Sequence, residues 1–298
     1  MIYFLTGTTA SGKSTLAHKL AIENDMKIIS LDSMAVYKGI DILSDKPDKK
    51  MQEEVQYFGI DIVDQMTNFT VFDYISYLSE MNLDKISYSE NLLAVGGTGL
   101  YFNAIVNSYK LKKTNNNYRE YLETLTHERL KDLYIKNYST DEDIDMDNKR
   151  RLVRALESSN EESLDEIINF DLPIGKLGIF WSNPEIENRI QNRTHKMITN
   201  GLIEEVSQIT NPSRTIKQAI GYSEITSGKN SDAIINEINR KTLKLAKKQK
   251  TWFKKIQNIL YMDTDSSDEV EKKMKDCLLY TSDAADEGLG VDLGGRRI

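Results

Sequence analysis

Eight residues near the start of the chain constrain it most. Gly7-Thr8-Thr9-Ala10-Ser11-Gly12-Lys13-Ser14 meets every fixed position of the phosphate-loop pattern G-x-x-x-x-G-K-[ST]. An apolar, strand-like run (Ile2-Tyr3-Phe4-Leu5) precedes it and a helical pattern (Thr15 to Ala21) follows, which is the context the motif needs. In such a turn successive backbone N–H groups point inward, and the following helix N-terminus adds partial positive charge. Gly7 through Ser14 are therefore expected to cradle phosphate, with Lys13 on the outer phosphate and the Ser14 hydroxyl on Mg²⁺. The loop by itself does not say which phosphorylated molecule it holds.

The 298 residues suffice for one large core, alone or with an insert. The single cysteine, Cys277, excludes an internal disulfide and a cysteine-based metal cluster, and His18, His127 and His195 have no metal-ligand spacing. No apolar run approaches the length of a membrane span, and the few residues before the loop leave no room for a signal peptide. A soluble, cytoplasmic monomer is expected. The formal charge of −7 argues against a polynucleotide partner, but its distribution argues the other way. Residues 263–298 hold ten acidic and five basic side chains, whereas Arg240 to Lys255 holds eight basic ones and no acid. A local patch of that kind binds phosphate backbones whatever the total charge.

Strand-like Lys27 to Leu31 ends at Asp32-Ser33, and Leu92 to Val95 runs into Gly96-Gly97-Thr98-Gly99. Ile60 to Val63 is a weaker strand candidate, and Phe72 to Leu83 has helical spacing. Strands alternating with helices predict an α/β fold, a parallel sheet whose ligands gather at the carboxyl ends of the strands. The loop, Asp32 and Gly96–Gly99 all fall there. From about Lys110 the pattern becomes helical and charged, over Tyr118 to Tyr138 and again from Lys149 to Leu156, before Leu177 to Trp181 returns to the sheet. Residues 1–110 and 173–262 thus read as a catalytic core and 111–172 as a helical insert. Pro184 opens a helix carrying Arg189 and Arg193, and Asn236 to Leu260 reads as one long basic helix. Residues 263–298 form a tail. From Cys277 it shows no sustained period and resembles translated adapter sequence, so 277–298 are expected to be disordered.

Asp32 is either a general base, or an orienter of metal-bound water, or a turn-forming residue. Gly96–Gly99 is either a second close-approach loop with a hydroxyl for substrate or a plain strand-to-helix turn. No acidic residue ends the Leu92–Val95 strand, unlike many phosphate-loop triphosphatases. Lys149, Arg150, Arg151 and Arg154 are either a polynucleotide contact or a solvated helix face. Trp252 and Phe253 lie on an apolar stripe with Leu245, Ala246, Gln249 and Ile256, which predicts both rings in the core and the lysines outside.

Taken in order, Gly7–Ser14, Asp32–Tyr37, Asp45-Lys46-Pro47, Gly96–Tyr101, Arg150–Leu156, Gln218–Tyr222 and Ala246–Phe253 resemble the bacterial tRNA dimethylallyltransferases over about residues 2–262. The resemblance implies transfer of a dimethylallyl group from dimethylallyl diphosphate to the N6 amine of the adenosine beside the tRNA anticodon. Asp32 is then the general base and Thr98 orients the reacting groups. Gly7, Thr8, Thr9, Ala10, Ser11, Gly12, Lys13, Ser14 and Arg193 bind diphosphate with Mg²⁺ at Ser14. Asp32, Ser33, Met34, Ala35, Lys149, Arg150, Arg151, Leu152 and Val153 touch the anticodon loop. Departures from the family pattern include Thr8 for Pro, Ala35 for Gln, and Leu43-Ser44-Asp45 for Gly-Thr-Ala. The competing readings are a phosphate-loop kinase of a small metabolite, a transferase acting on free adenine nucleotide, and an ATP-gated RNA-binding module.

Overall fold

A computed structural model describes residues 1–108, 111–112, 116–138, 144–158, 167–168 and 174–288. Two compact units emerge, one of Met1–Ser108 with Asp171–Ile298 and one of Tyr109–Phe170.

The first unit is built on strands β1 (Ile2–Gly7), β2 (Lys27–Leu31), β3 (Tyr57–Phe58) and β4 (Leu92–Gly96). Strands β5 (Leu111–Lys112) and β6 (Ile167–Ile168) belong to the second unit, and β7 (Ile174–Ser182) and β8 (Ile259–Asp263) return to the first. All its strand pairings are parallel, in the order β3-β2-β4-β1-β7-β8. Every residue of β1 and β4 is buried, as a parallel sheet covered on both faces requires. One face carries helix Lys13–Glu23, where Leu16, Ala17 and Leu20 meet Leu5, Ile28, Leu93 and Val95. The other is aromatic. Phe253 packs 5.3 Å from Phe102 and 4.8 Å from Phe180, and Phe180 lies 4.9 Å from Tyr261.

In the sheet unit a strand, a helix and the burial of two rings differ from the sequence expectation. The short strand is Tyr57–Phe58, whereas Ile62 and Val63 donate to Val36 O at 2.8 and 3.0 Å and pair with the 36–38 segment. The basic helix spans Ser231–Phe253 and stops before Asn258, whose φ of 65° is left-handed and turns the chain into β8. The two rings at its end part company: Phe253 is 1% exposed and Trp252 46%. Adjacent helix positions lie 100° apart, so a stripe at its edge buries one and releases the other.

The tail is also different. Residues 267–288 form a helix, Ser267–Gly288. Val270 and Met274 are fully buried against the Lys13–Glu23 face, and Leu278 packs beside them. Their i, i+4, i+8 spacing explains the docking, and Lys19 pairs with Glu271 at 2.7 Å across the contact. The expectation of disorder is thus corrected for 277–288, and 289–298 lie outside the described residues.

In the second unit, helices Asn116–Thr124, His127–Asn137 and Lys149–Ser158 enclose Leu122, Leu130, Tyr134, Leu152, Val153 and Leu156. Thr126 caps the second helix by accepting from Arg129 N at 3.3 Å, which divides the single Tyr118–Tyr138 stretch expected from sequence. β5 and β6 pair antiparallel.

The unlike burial of the adjacent rings is testable by denaturant unfolding. Phe253→Ala should cost about 3–5 kcal/mol, while Trp252→Ala should cost about 1 kcal/mol or less. Equal losses would contradict the packing.

Candidate active site

β4 lies between β1 and β2, and its register fixes what stands at the sheet's carboxyl edge. Gly96 is level with Thr6 of β1 and with Leu31 of β2. The phosphate loop, Asp32 and Gly97–Gly99 therefore leave the sheet side by side, at the strand ends where ligands bind in such folds. The fit is close: a Cβ on Gly96 would lie 2.2 Å from Leu31 O. Gly96–Gly99 is a close-approach loop.

The phosphate loop is anchored by Thr8 N, which donates to Trp181 O of β7 at 3.0 Å. Gly12, at a left-handed φ of 102°, caps helix Lys13–Glu23 with no side chain, and no acid occupies its first turn. Its leading N–H groups are left for an anion. The buried hydroxyls of Thr8 and Ser11 have no hydrogen-bond partner among the described residues, and a phosphate oxygen would satisfy such groups. The half-buried Lys13 donates to Thr8 O at 3.1 Å. Burial pushes its ammonium down to about 8, with Asp32 and Asp45 acting upward and Arg193 downward.

Asp32 closes an Asx turn, its Oδ1 accepting from Met34 N at 2.8 Å. Thr98 Oγ1 accepts from Ser33 N at 3.3 Å, which ties the glycine loop to the residue after Asp32. From the facing helix Ile186–Thr199, Arg189 Nε donates to Ala10 O at 2.7 Å and Arg193 Nη1 to the Thr9 hydroxyl. Arg193 thus stands on the loop. Gln249 completes the frame: its Oε1 accepts from Thr9 N at 2.9 Å and its Nε2 donates to Gly97 O at 3.2 Å. The sequence places Gln249 on an apolar stripe. A long polar side chain there was the available signal of a different task.

Two cavities flank this frame. The larger, about 810 Å³, includes Ser14, Arg189 and Lys196 in its lining; the other, about 420 Å³, includes Met34, Ile220, Leu245 and Trp252. Thr9, Lys13, Asp32, Ser44, Arg193 and Met197 line both. Of the proposed RNA contacts, Ser33 and Met34 line the smaller cavity, and Ala35, 3% exposed, lines the larger.

The remaining candidates lie in the second unit. Arg150 and Arg151 are exposed. The Lys149 ammonium donates to Leu125 O at 2.7 Å and Glu123 O at 3.2 Å, closing the C-terminal end of helix Asn116–Thr124. Leu152 and Val153, 0% and 3% exposed, form that unit's core, so their side chains are corrected from RNA contacts to packing. Arg154 pairs with the buried Glu157 at 2.9 Å. Among the described residues no cluster of three His, Cys, Asp or Glu side chains could hold a metal, and no helix is long and apolar enough to cross a membrane.

Comparison with known proteins follows the same lines. Residues 35–256 match the family model described as IPP transferase. The tRNA dimethylallyltransferase of Acetivibrio thermocellus is 30% identical over 311 residues, covering 94% of this chain and 96% of that protein. The tRNA dimethylallyltransferase of Syntrophomonas wolfei is 31% identical over 286 residues, covering 89% and 92%. Among solved structures, the tRNA isopentenylpyrophosphate transferase of Bacillus halodurans superposes with a TM-score of 0.65 at 26% identity, covering 96% of this chain and 99% of that one. A eukaryotic dimethylallyltransferase acting on tRNA shares the fold, with a TM-score of 0.73 at 21% identity over 96% of this chain and 79% of that one. A phosphate loop beside Asp32, a glycine-ended central strand and these relatives converge on one assignment: this chain belongs to the IPP transferase family.

Proposed function

We propose that this chain is a tRNA dimethylallyltransferase, which alkylates the N6 amine of the adenosine beside the anticodon with dimethylallyl diphosphate and releases diphosphate. The observation that carries the reading is the pair of cavities meeting at Lys13, Asp32 and Arg193. The larger, with the phosphate loop, suits the diphosphate. The smaller, with Met34, Ile220, Leu245 and Trp252, suits a flat base taken out of its stack.

In the reaction the N6 lone pair attacks the allylic carbon and the carbon–oxygen bond to diphosphate breaks. The bond electrons leave with diphosphate, and the amine loses one proton. Lys13, the loop amides, the first-turn amides of Lys13–Glu23 and Arg193 face the charge that develops on the leaving group. Asp32 accepts the amine proton. Because Oδ1 is engaged by Met34 N, Oδ2 is the atom that takes it. Thr98 holds the Gly97 loop against Ser33, so base and leaving-group site keep their spacing. The Ser14 hydroxyl lines the donor cavity, and with phosphate oxygens it would offer the hard oxygen donors that fit Mg²⁺. When bound, the ion would neutralise leaving-group charge. Alkyl transfer involves no attack on phosphorus, and β4 accordingly ends in Gly96 without an acid. The exposed Arg150 and Arg151 supply backbone contacts to the anticodon arm.

Two outcomes are expected. Asp32→Ala should bind tRNA as the wild type does and lose transfer by on the order of 10²–10⁴-fold; near-normal turnover would remove Asp32 from the mechanism. Diphosphate affinity should fall as pH rises through about 8, where the free enzyme's Lys13 gives up its proton. Below that pH the ammonium is charged and binds. Calorimetry across pH 6.5–9.5 should lose this step in Lys13→Arg, since arginine stays protonated.

A further inference from the structure

Asp45 lies against a guanidinium in the cavity assigned to the donor anion. Asp45 reaches the Arg193 guanidinium with its Oδ2 2.9 Å from Nε, and Arg193 Nη1 donates to the Thr9 hydroxyl of the phosphate loop. We propose that Asp45 is a specificity-determining residue of the donor cavity: it holds Arg193 on the loop, and a donor gains Arg193 only by displacing this carboxylate. The inference rests on the donor reading above.

The backbone beneath Asp45 is fixed from several sides. Asp45 N donates to Ile42 O at 3.1 Å and Lys46 N to Asp41 O at 3.0 Å. Glu205 accepts from Ile42 N at 2.8 Å and Leu43 N at 2.7 Å. The Lys46 ammonium, its side chain 1% exposed, lies 2.7 Å from Asp41 and 2.6 Å from Asp61. The segment stays in place, and only the Asp45 side chain, 59% exposed, is free to swing into solvent. Displacement exchanges a carboxylate–guanidinium pair for a phosphate–guanidinium pair. Attraction scales with ligand charge and fork geometry, so a diphosphate wins this exchange and a lower-charge phosphate does not. Asp45 thereby sets a charge threshold for entry. It also belongs to the field around Lys13, which it and Asp32 favour in the protonated form.

Asp45→Asn removes the charge and keeps the backbone, since the φ of 53° at this position is one that asparagine tolerates. Wild type and D45N are titrated calorimetrically at pH 7 with inorganic diphosphate and inorganic phosphate. D45N should bind diphosphate on the order of tenfold tighter, with a larger gain for phosphate and the gain in transfer carried by KM for dimethylallyl diphosphate. In an Arg193→Ala background the D45N gain should shrink below about twofold. Unchanged or weaker diphosphate binding by D45N overturns the proposal, as does a full gain without Arg193. If the wild type neither binds diphosphate nor alkylates tRNA, the donor reading falls first and this inference with it. If the wild type does both and D45N does not differ, this inference alone falls.

Discussion

Everything at the site depends on how close β4 comes to β2. Gly96 is level with Leu31 with no room for a side chain between them, so only a glycine lets the two strand ends lie this close. That constraint brings Asp32 and Thr98 beside the phosphate loop of β1, although the sequence separates them widely. A base and a leaving-group site must be held within a fraction of an ångström to act on one substrate. A parallel sheet covered on both faces is rigid enough to do this, because each strand end is set by hydrogen bonds to its neighbours and by buried side chains on both sides.

The Ser231–Phe253 helix is the second half of the device. Phe253 plants it in the aromatic layer, and one turn earlier Gln249 joins the phosphate loop to Gly97. Packing on one face of the helix is thereby converted into polar alignment at the sheet's carboxyl edge, and Trp252 at the margin is left to line the smaller cavity. Opposite it, helix Ile186–Thr199 brings Arg189 and Arg193 onto the loop. The larger cavity is therefore rich in cations, and Asp32 and Asp45 are among the carboxylates that line it and act on Lys13.

Much of this was legible in the sequence because it is local. The phosphate loop, Asp32 at a strand end and the glycines after β4 are short patterns whose physics needs no partner. The α/β class followed from alternating apolar runs. What escaped notice depends on distant contacts or on fine phase. Period counting could not separate Trp252 from Phe253, since both sit within the error of one helical stripe. It overran the end of the basic helix at Phe253 and the left-handed turn at Asn258 that leads into β8. The family resemblance implied one RNA-facing surface over Lys149 to Val153, although Leu152 and Val153 point into their unit's core. The Val270, Met274, Leu278 stripe spans the point at Cys277 where the composition changes, so only two of its members precede that point. Asp45 beside Arg193 was out of reach for a different reason: a departure at a single position acquires meaning only when the fold sets it against the guanidinium.

The central claim is that this phosphate loop serves alkyl transfer and not phosphoryl transfer. Dimethylallyl diphosphate carrying one label in the allyl group and another in its phosphorus atoms, incubated with unmodified tRNA, tests it directly. Alkyl transfer predicts allyl label on the N6 of a tRNA adenosine, with all phosphorus label released as free diphosphate. Phosphorus label on the acceptor, or allyl label on added AMP and none on tRNA, would contradict it.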